Sequence, residues 1–449
     1  MATESQLVTE KLGTLIENAS NIYKELESEI KITNDPFFKD LVCPKNWQDH
    51  PFDRWFKLKE GYSSMMVKSL LEEFKARPTD WVVDPFNGSG STLVGARNAN
   101  INGLGFEVNP FLAKLASVKL SPYDDATKLK SSVEQLFQGI YENRARKTVI
   151  PKLRITEKLF REQLDLLLSI KAEINSVDDD ITRDFLLIGL GCILERVSYA
   201  KKDGNGLKYP KRRKPLPLIE TLREQYQLMI EDVEQSQFKA KEYPKYCIIN
   251  EDSRNINLSK LLKSYPDMHQ DLKENLRISI FSPPYCNCFD YTEVYKIELW
   301  MLDFIKDYKE LKTLRKNSLS SHLNKTYTAP GSAVLEELET VADSIPWELT
   351  WGKQKMKHMV LNYFEDMKKV FLKLDGLLND EGILVCVVGN SAYGNVPIAT
   401  DVFLARMLQD MGYPDIEIRV ARTLTTSSQQ QKYLRGNPYL RESLVIAKK

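Results

Sequence analysis

Apolar positions along this chain follow two periods that alternate from end to end. Over residues 7–30, Leu12, Leu15, Ile16, Tyr23, Leu26 and Ile30 recur at helical spacing and predict an amphipathic helix that serves as a packing arm. Residues 35–51 have no period and read as irregular, with Trp47 and Phe52 as anchors. Ser63 and Ser64 then precede Met65, Met66, Val67, Leu70, Leu71 and Phe74, which is a capping signal followed by a helix. Short apolar runs at 81–83, 103–106, 246–249, 278–281, 383–388, 416–420 and 443–447 predict strands. Helical stretches near 93–99, 294–302 and 359–374 separate them. Such alternation argues for an α/β fold, and the last two strands for a closing hairpin.

Two stretches interrupt the pattern. Across 121–243 helical spacing dominates (Phe160, Leu164, Leu167, Ile170, then Phe185, Ile188, Ile193, Val197) without a strand. Residues 307–355 are charged and read as loop. The expected organisation is an N-terminal helical arm at 1–50, a body at 51–120 and 246–449 with a charged insertion at about 305–357, and a helical insertion at 121–245.

Composition narrows the class. The 449 residues are 42% hydrophobic and 28% charged, ordinary for a soluble globular protein of one large domain or two. A net charge of +1 means that a polyanion would have to be met by a local patch. Glu4 and Glu10 at the start exclude a signal peptide, and the apolar run 185–194, broken by Gly189 and Gly191, falls short of the roughly 18 residues of a membrane span. The six cysteines contain no CxxC pair, which argues against a disulfide scaffold or a zinc site and for a reducing, cytoplasmic setting.

The chemistry gathers at strand ends, where open α/β sheets bind ligands. The strand at 81–83 runs into Asp84-Pro85-Phe86-Asn87-Gly88-Ser89-Gly90-Ser91-Thr92 and then a helix. A P-loop would need a lysine that this loop lacks, and a dinucleotide fingerprint would need glycine where Leu93 stands. S-adenosylmethionine is the third option. Asp84 suits its ammonium, Gly88 and Gly90 allow close backbone approach, and helix-start N–H groups suit its carboxylate. Glu107, ending the second strand, suits ribose hydroxyls, and Asp252, ending the third, suits the adenine amino group. Singly, Asp84 could be a helix cap and Glu107 a surface charge; their order along successive strand ends is what points to one ligand. The 278–281 strand stops at Ser282-Pro283-Pro284-Tyr285, a polar and aromatic lip able to hold a nucleobase.

Together, DPFNGSGS at 84–91, FEVNP at 106–110 and SPPY at 282–285 resemble the amino-group DNA methyltransferases, which methylate an exocyclic amine of cytosine or adenine from S-adenosylmethionine. SPPY is most like the cytosine-N4 branch. The resemblance covers about two-thirds of the chain, near 52–117, 246–300 and 359–447, and leaves the insertions outside. It implies a Rossmann-like methyltransferase fold with a seven-stranded mixed sheet. It also implies cofactor-binding roles for Asp84, Phe86, Asn87, Gly88, Gly90, Glu107, Asn109, Asp252 and Ser253, and catalytic roles for Ser282, Pro283, Pro284 and Tyr285. Double-stranded DNA is the implied partner, in a restriction-modification system with a cognate endonuclease, and no metal is needed.

In that chemistry Ser282 Oγ and the Pro283 carbonyl accept hydrogens of the target amine, and Tyr285 stacks on the flipped ring. Methylation at cytosine carbon-5 would need a cysteine nucleophile after a proline, and no Pro-Cys dipeptide occurs. Cys286 and Cys288 read as packing residues; Asn287, Asp290 and Tyr291 either touch base or cofactor or only bond the loop. Candidate phosphate contacts are Lys201, Lys202, Lys208, Lys211, Arg212, Arg213 and Lys214, interleaved with Tyr199 and Tyr209. A second basic stretch lies at 353–358, and Arg422 and Gln429 carry the side chains that read base edges. Methylation of adenine-N6, or of an RNA amine, and an idle DNA-binding subunit are the alternatives.

Overall fold

The computed structural model describes residues 4–123, 126–142, 155–203, 206–236, 244–257, 259, 261, 263, 269–330, 334–425 and 434–449. Its centre is an eight-stranded sheet, in spatial order β1 (Lys31–Asn34), β11 (Asp415–Thr423), β12 (Arg441–Lys448), β8 (Ile383–Gly389), β7 (Leu276–Phe281), β2 (Trp81–Asp84), β3 (Asn102–Phe106), β6 (Tyr246–Ile249). β8, β7, β2, β3 and β6 run parallel, and β12 alone is reversed, antiparallel to both β8 and β11. The seven expected strands are present. The eighth, β1, pairs parallel with β11 at the edge, Lys31 opposite Glu417.

The sequence dictates the sheet's centre. β8 reads Ile-Leu-Val-Cys-Val-Val-Gly and every residue is buried, as suits a strand covered on both faces. On one face Val82, Ile278, Ile280, Val385 and Ile446 pack with Met66, Val67 and Leu70 of the Ser64–Glu73 helix. On the other, Val83, Phe281, Leu384, Cys386 and Val445 meet the Lys353–Asp375 and Thr400–Asp410 helices. The N-terminal Glu4–Glu27 helix docks there as well: Tyr23 is buried and its hydroxyl donates to the Pro397 carbonyl at 2.7 Å.

Residues within 121–245 form mainly helices, Ala126–Tyr141, Leu164–Asn175, Asp180–Ile193 and Leu218–Gln235 among them. They share one apolar cluster with Phe111 and Leu115 of the Pro110–Lys119 helix and Trp300 of the Lys296–Met301 helix. One expectation fails here. A short hairpin, β4 (Lys201–Asp203) with β5 (Gly206–Lys208), occupies a stretch read as strand-free. The charged 307–355 stretch is not loop either. It holds the Tyr308–Asn317 and Glu336–Ser344 helices, and Asp307 Oδ1 caps the first by accepting from Lys309 N and Glu310 N. β9 (Ser391–Tyr393) and β10 (Val396–Ile398) add a small antiparallel pair. Among the described residues no helix is long and apolar enough to cross a membrane.

Candidate active site

From β2 the parallel strands run outward one way to β3 and β6, and from β7 the other way to β8. The strand order therefore reverses between β2 and β7, where open α/β sheets place their ligands. A cavity of about 850 Å³, counting its open mouth, lies at those strand ends. Phe86 and Gly88 line it after β2, Glu107 and Asn109 after β3, Asp252 and Ser253 after β6, and Ser282 and Pro284 after β7. Residues from four separate motifs thus meet in one hollow of ligand size.

Asp84 is not in that lining. Its carboxylate is 2% exposed and accepts from Phe86 N at 2.8 Å, from the Tyr62 hydroxyl at 3.2 Å and from Thr92 Oγ1. Burial pushes its acid up to about 7. The residue ties the glycine loop to its neighbours. Glu107 does face the cavity. Its Oε2 accepts from Gly88 N and its Oε1 from Asn109 N, each at 2.8 Å, and burial holds its acid near 7. A carboxylate oxygen accepts more than one hydrogen bond, so both retain capacity for a ligand hydroxyl.

The loop between them depends on glycine. Gly88 and Gly90 have φ of +51° and +87°, and a Cβ on Gly90 would stand 2.9 Å from Ala116 Cβ. Underneath, the fully buried Lys119 donates Nζ to the Ser89 carbonyl at 2.9 Å, an anchor no motif announced. Asn109 Oδ1 caps the Pro110–Lys119 helix, accepting from Phe111 N at 3.0 Å, while its Nδ2 is buried without a protein partner. Asn87 lies behind the loop, against Gly105, with both amide atoms unpartnered.

The donor set suits an adenosine-bearing cofactor: apolar walls from Phe86, Phe106, Val108 and Leu112 for a flat base, and a carboxylate with spare acceptor capacity for ribose. Asp252 is more committed than its position at a strand end suggests. Arg254 grips both of its oxygens, through Nε at 3.0 and 3.1 Å and Nη2 at 2.7 Å.

On the opposite side Ser282 and Pro284 form the lip. Pro283 is buried outside the lining, and Tyr285 is 8% exposed, its phenol donating to Glu442 Oε1 at 2.6 Å. Arg422 holds the other oxygen of Glu442. Its Nε thus helps to position Tyr285, while the side chain stays partly exposed. Tyr291 lines the cavity, stacked on Tyr295 with ring centroids 6.4 Å apart. Asp290 bonds its own loop, capping residues 291–294 and pairing with Arg315 at 3.1 Å.

Sequence reading missed two walls. One is 58–60, with Glu60 accepting from Asn287 Nδ2 at 3.1 Å. The other runs from Leu314 to His322, held by Arg254 against the Asn317 and Ser318 carbonyls and by Arg315 against Asp290 and Glu293. His322 is 2% exposed, and burial pushes it down to about 4, so it is neutral; Nδ1 accepts from Asn324 N at 3.2 Å.

The basic stretch divides. Lys201, Lys208, Lys211, Arg212 and Lys214 are exposed, Lys208 paired with Asp203. Lys202 is not available to phosphate: it is buried, paired with the buried Glu298, and packed over the rings of Phe56 and Tyr295. Arg213 is half-buried and donates to the carbonyls of Ser198 at 3.0 Å and Glu195 at 2.7 Å. Both side chains are engaged within the protein, which corrects their reading as phosphate contacts. The hairpin that carries this stretch adjoins the cavity, since Lys59 Nζ donates to the Lys202 carbonyl at 3.2 Å. In the 353–358 stretch, Lys353 and Lys355 are exposed and Lys357 pairs with Asp343. Gln429 lies outside the described residues.

A mostly parallel sheet with one reversed strand, and a cavity at the switch point, define a Rossmann-like methyltransferase fold. Residues 45–118 match a family described as DNA methylase. Over nearly its whole length the chain is similar to the type II methyltransferase M.AvaI of Nostoc sp., 25% identical with 100% of this chain and 97% of that protein covered. It is 26% identical to the type II methyltransferase M.BsoBI of Geobacillus stearothermophilus, covering 92% and 89%. M.MvaI of Kocuria varians is 22% identical over 78% and 80%. By these comparisons the chain is similar to the amino-group DNA methyltransferases.

Proposed function

We propose that this protein transfers a methyl group from S-adenosylmethionine to the exocyclic N4 amine of cytosine in double-stranded DNA. The observation that carries the reading is that the Ser282–Pro284 lip and Glu107 open onto the same cavity. Glu107 takes the ribose hydroxyls. Asp252 and Ser253 meet the adenine edge, Phe86 and Gly88 line the methionine and adenine, and Asp84, Asn87, Gly90 and Asn109 fix the loop and helix that present them.

When bound, the cofactor supplies an electrophilic methyl group. What the chain supplies is position and polarity. An amine conjugated to a ring is a poor nucleophile, so Ser282 Oγ and the Pro283 carbonyl accept its hydrogens and localise its lone pair. The base must leave the duplex to arrive there. Tyr291 offers the ring face inside the cavity, and Tyr285 is held by Glu442 beside the lip.

Lys201, Lys208, Lys211, Arg212 and Lys214 contact DNA phosphates beside the mouth, with the 121–245 insertion as target-recognition region, 51–120 and 246–449 as catalytic body and 1–50 as packing arm. The setting is a cytoplasmic restriction-modification system with an endonuclease of the same specificity. Serine at the head of SPPY is what favours cytosine over adenine.

The test is to incubate the protein with DNA and isotopically labelled cofactor, digest the product and identify the modified nucleoside by mass spectrometry. N4-methylcytosine is expected. N6-methyladenine, or label found only in RNA, overturns the cytosine assignment. Tight DNA binding without any label identifies an idle subunit.

A further inference from the structure

Glu60 is one of the cavity residues that lie outside the motifs. It stands at φ +59°, a left-handed conformation that side-chain-bearing residues avoid, while its neighbour Gly61 does not take it. Strain of this kind persists where the surroundings over-determine it, commonly at functional sites. Glu60 lines the cavity that Ser282 and Pro284 also line. Asn287, two residues beyond the SPPY motif, donates Nδ2 to Glu60 Oε2 at 3.1 Å and fixes it from that side. Enclosure by the cavity walls raises its acid above the usual carboxylate range, the Asn287 bond opposes this, and Glu442 beside Tyr285 adds to it. The residue is nevertheless exposed to solvent, which gives a proton a way out.

We propose, resting on the methyl-transfer reading above, that Glu60 is a further catalytic residue, the base that takes the proton shed by the target amine. Methyl transfer releases one proton, and an acceptor in the cavity hastens its loss. As the exocyclic nitrogen forms its bond to the methyl carbon, sulfur keeps the electron pair of the bond that breaks. The nitrogen then carries a positive charge until an N–H bond breaks, its electron pair returning to nitrogen and its proton passing to the Glu60 carboxylate and on to solvent. Ser282 and the Pro283 carbonyl, one a hydroxyl and the other an amide oxygen, orient those hydrogens but are too weakly basic to keep one.

The test compares wild type, Glu60→Gln and Glu60→Gly in single-turnover methylation of DNA, alongside thermal melting and titration with S-adenosylhomocysteine. Both variants are expected to slow methyl transfer at least about 100-fold, the lower end for general-base loss. Inhibitor affinity should stay within about threefold, well under the roughly 1.4 kcal/mol that a tenfold change represents. Glu60→Gly suits the left-handed position and should melt no lower than wild type, so slow transfer there cannot be ascribed to misfolding. Transfer by either variant within threefold of wild type overturns the role of Glu60 alone. If wild type labels no DNA, the parent reading fails and this one with it.

Discussion

Asp84 and Glu107 each hold a proton near pH 7 because burial disfavours their charged forms, and this ties ligand binding to pH. A cationic cofactor needs them ionised. Its affinity should therefore rise with pH up to about 7 and level off above, by up to about one decade per pH unit for each group still titrating. Calorimetric titration with S-adenosylmethionine from pH 5.5 to 8.5 measures this, and a flat profile would refute it. Stability of the ligand-free protein runs the opposite way. With folded-state values of about 7 against ordinary values of 3.8 and 4.5, the folded state binds protons that the unfolded chain has released. Stability from these groups is thus greatest below pH 4 and is lost progressively up to about pH 7. The melting temperature of Asp84→Asn relative to wild type should become more favourable between pH 5 and pH 8. At the lip, Arg422 and Glu442 act through Tyr285. Arg422→Gln leaves a buried carboxylate short of a donor, a loss of about 1–3 kcal/mol. It should slow methylation of all DNA sequences alike, whereas a base-reading arginine would instead relax the choice of site.

At the scale of elements, the glycine loop offers a graded test. A Cβ on Gly88 would meet only Leu58 Cδ2, at 2.9 Å, the far end of a flexible side chain. A Cβ on Gly90 would meet Ala116 Cβ at 2.9 Å and Ala116 Cα at 3.3 Å, which cannot swing away. Both positions carry positive φ. Gly90→Ala should therefore lower stability in urea by more than Gly88→Ala, about 1–3 kcal/mol beyond it if overpacking takes its usual toll. Equal losses would mean that backbone conformation alone matters. The loop and its flanking strands were legible in the sequence because their signals are local. β8 is an unbroken apolar run, and Ser63 caps the helix that follows it by accepting from Met65 N at 3.2 Å. β1 was not, since only one of its residues is apolar and its burial pattern is mostly exposed; pairing with the distant β11 makes it a strand. The 314–322 wall was hidden for the same reason. Its arginine and histidine look like surface charge until Asp290, brought in from the loop beyond β7, is placed against them.

At the scale of the molecule, function depends on how the helical insertion is fastened to the sheet, and one buried ion pair marks the fastening. Lys202 of the β4–β5 hairpin meets Glu298 of the Lys296–Met301 helix, with side-chain exposures of 5% and 0%, and its ammonium lies 4.7 Å from the ring centres of both Phe56 and Tyr295. That pair places the exposed lysines of the hairpin beside the cavity mouth, where Lys59 donates to the Lys202 carbonyl. A buried pair contributes little net stability, because desolvating two charges offsets their attraction, yet removing one partner strands the other. Glu298→Ala should accordingly cost about 3–5 kcal/mol. Lys202→Met combined with Glu298→Leu should recover most of it, since both charges leave together. Chemical denaturation of the two single variants and the double variant measures the coupling. If the hairpin is the phosphate-binding face, the double variant gives the cleaner reading: a stable protein whose DNA affinity falls only as far as the hairpin has shifted. Fully additive losses, with no recovery in the double variant, would mean that the pair is not the joint on which the insertion is hung.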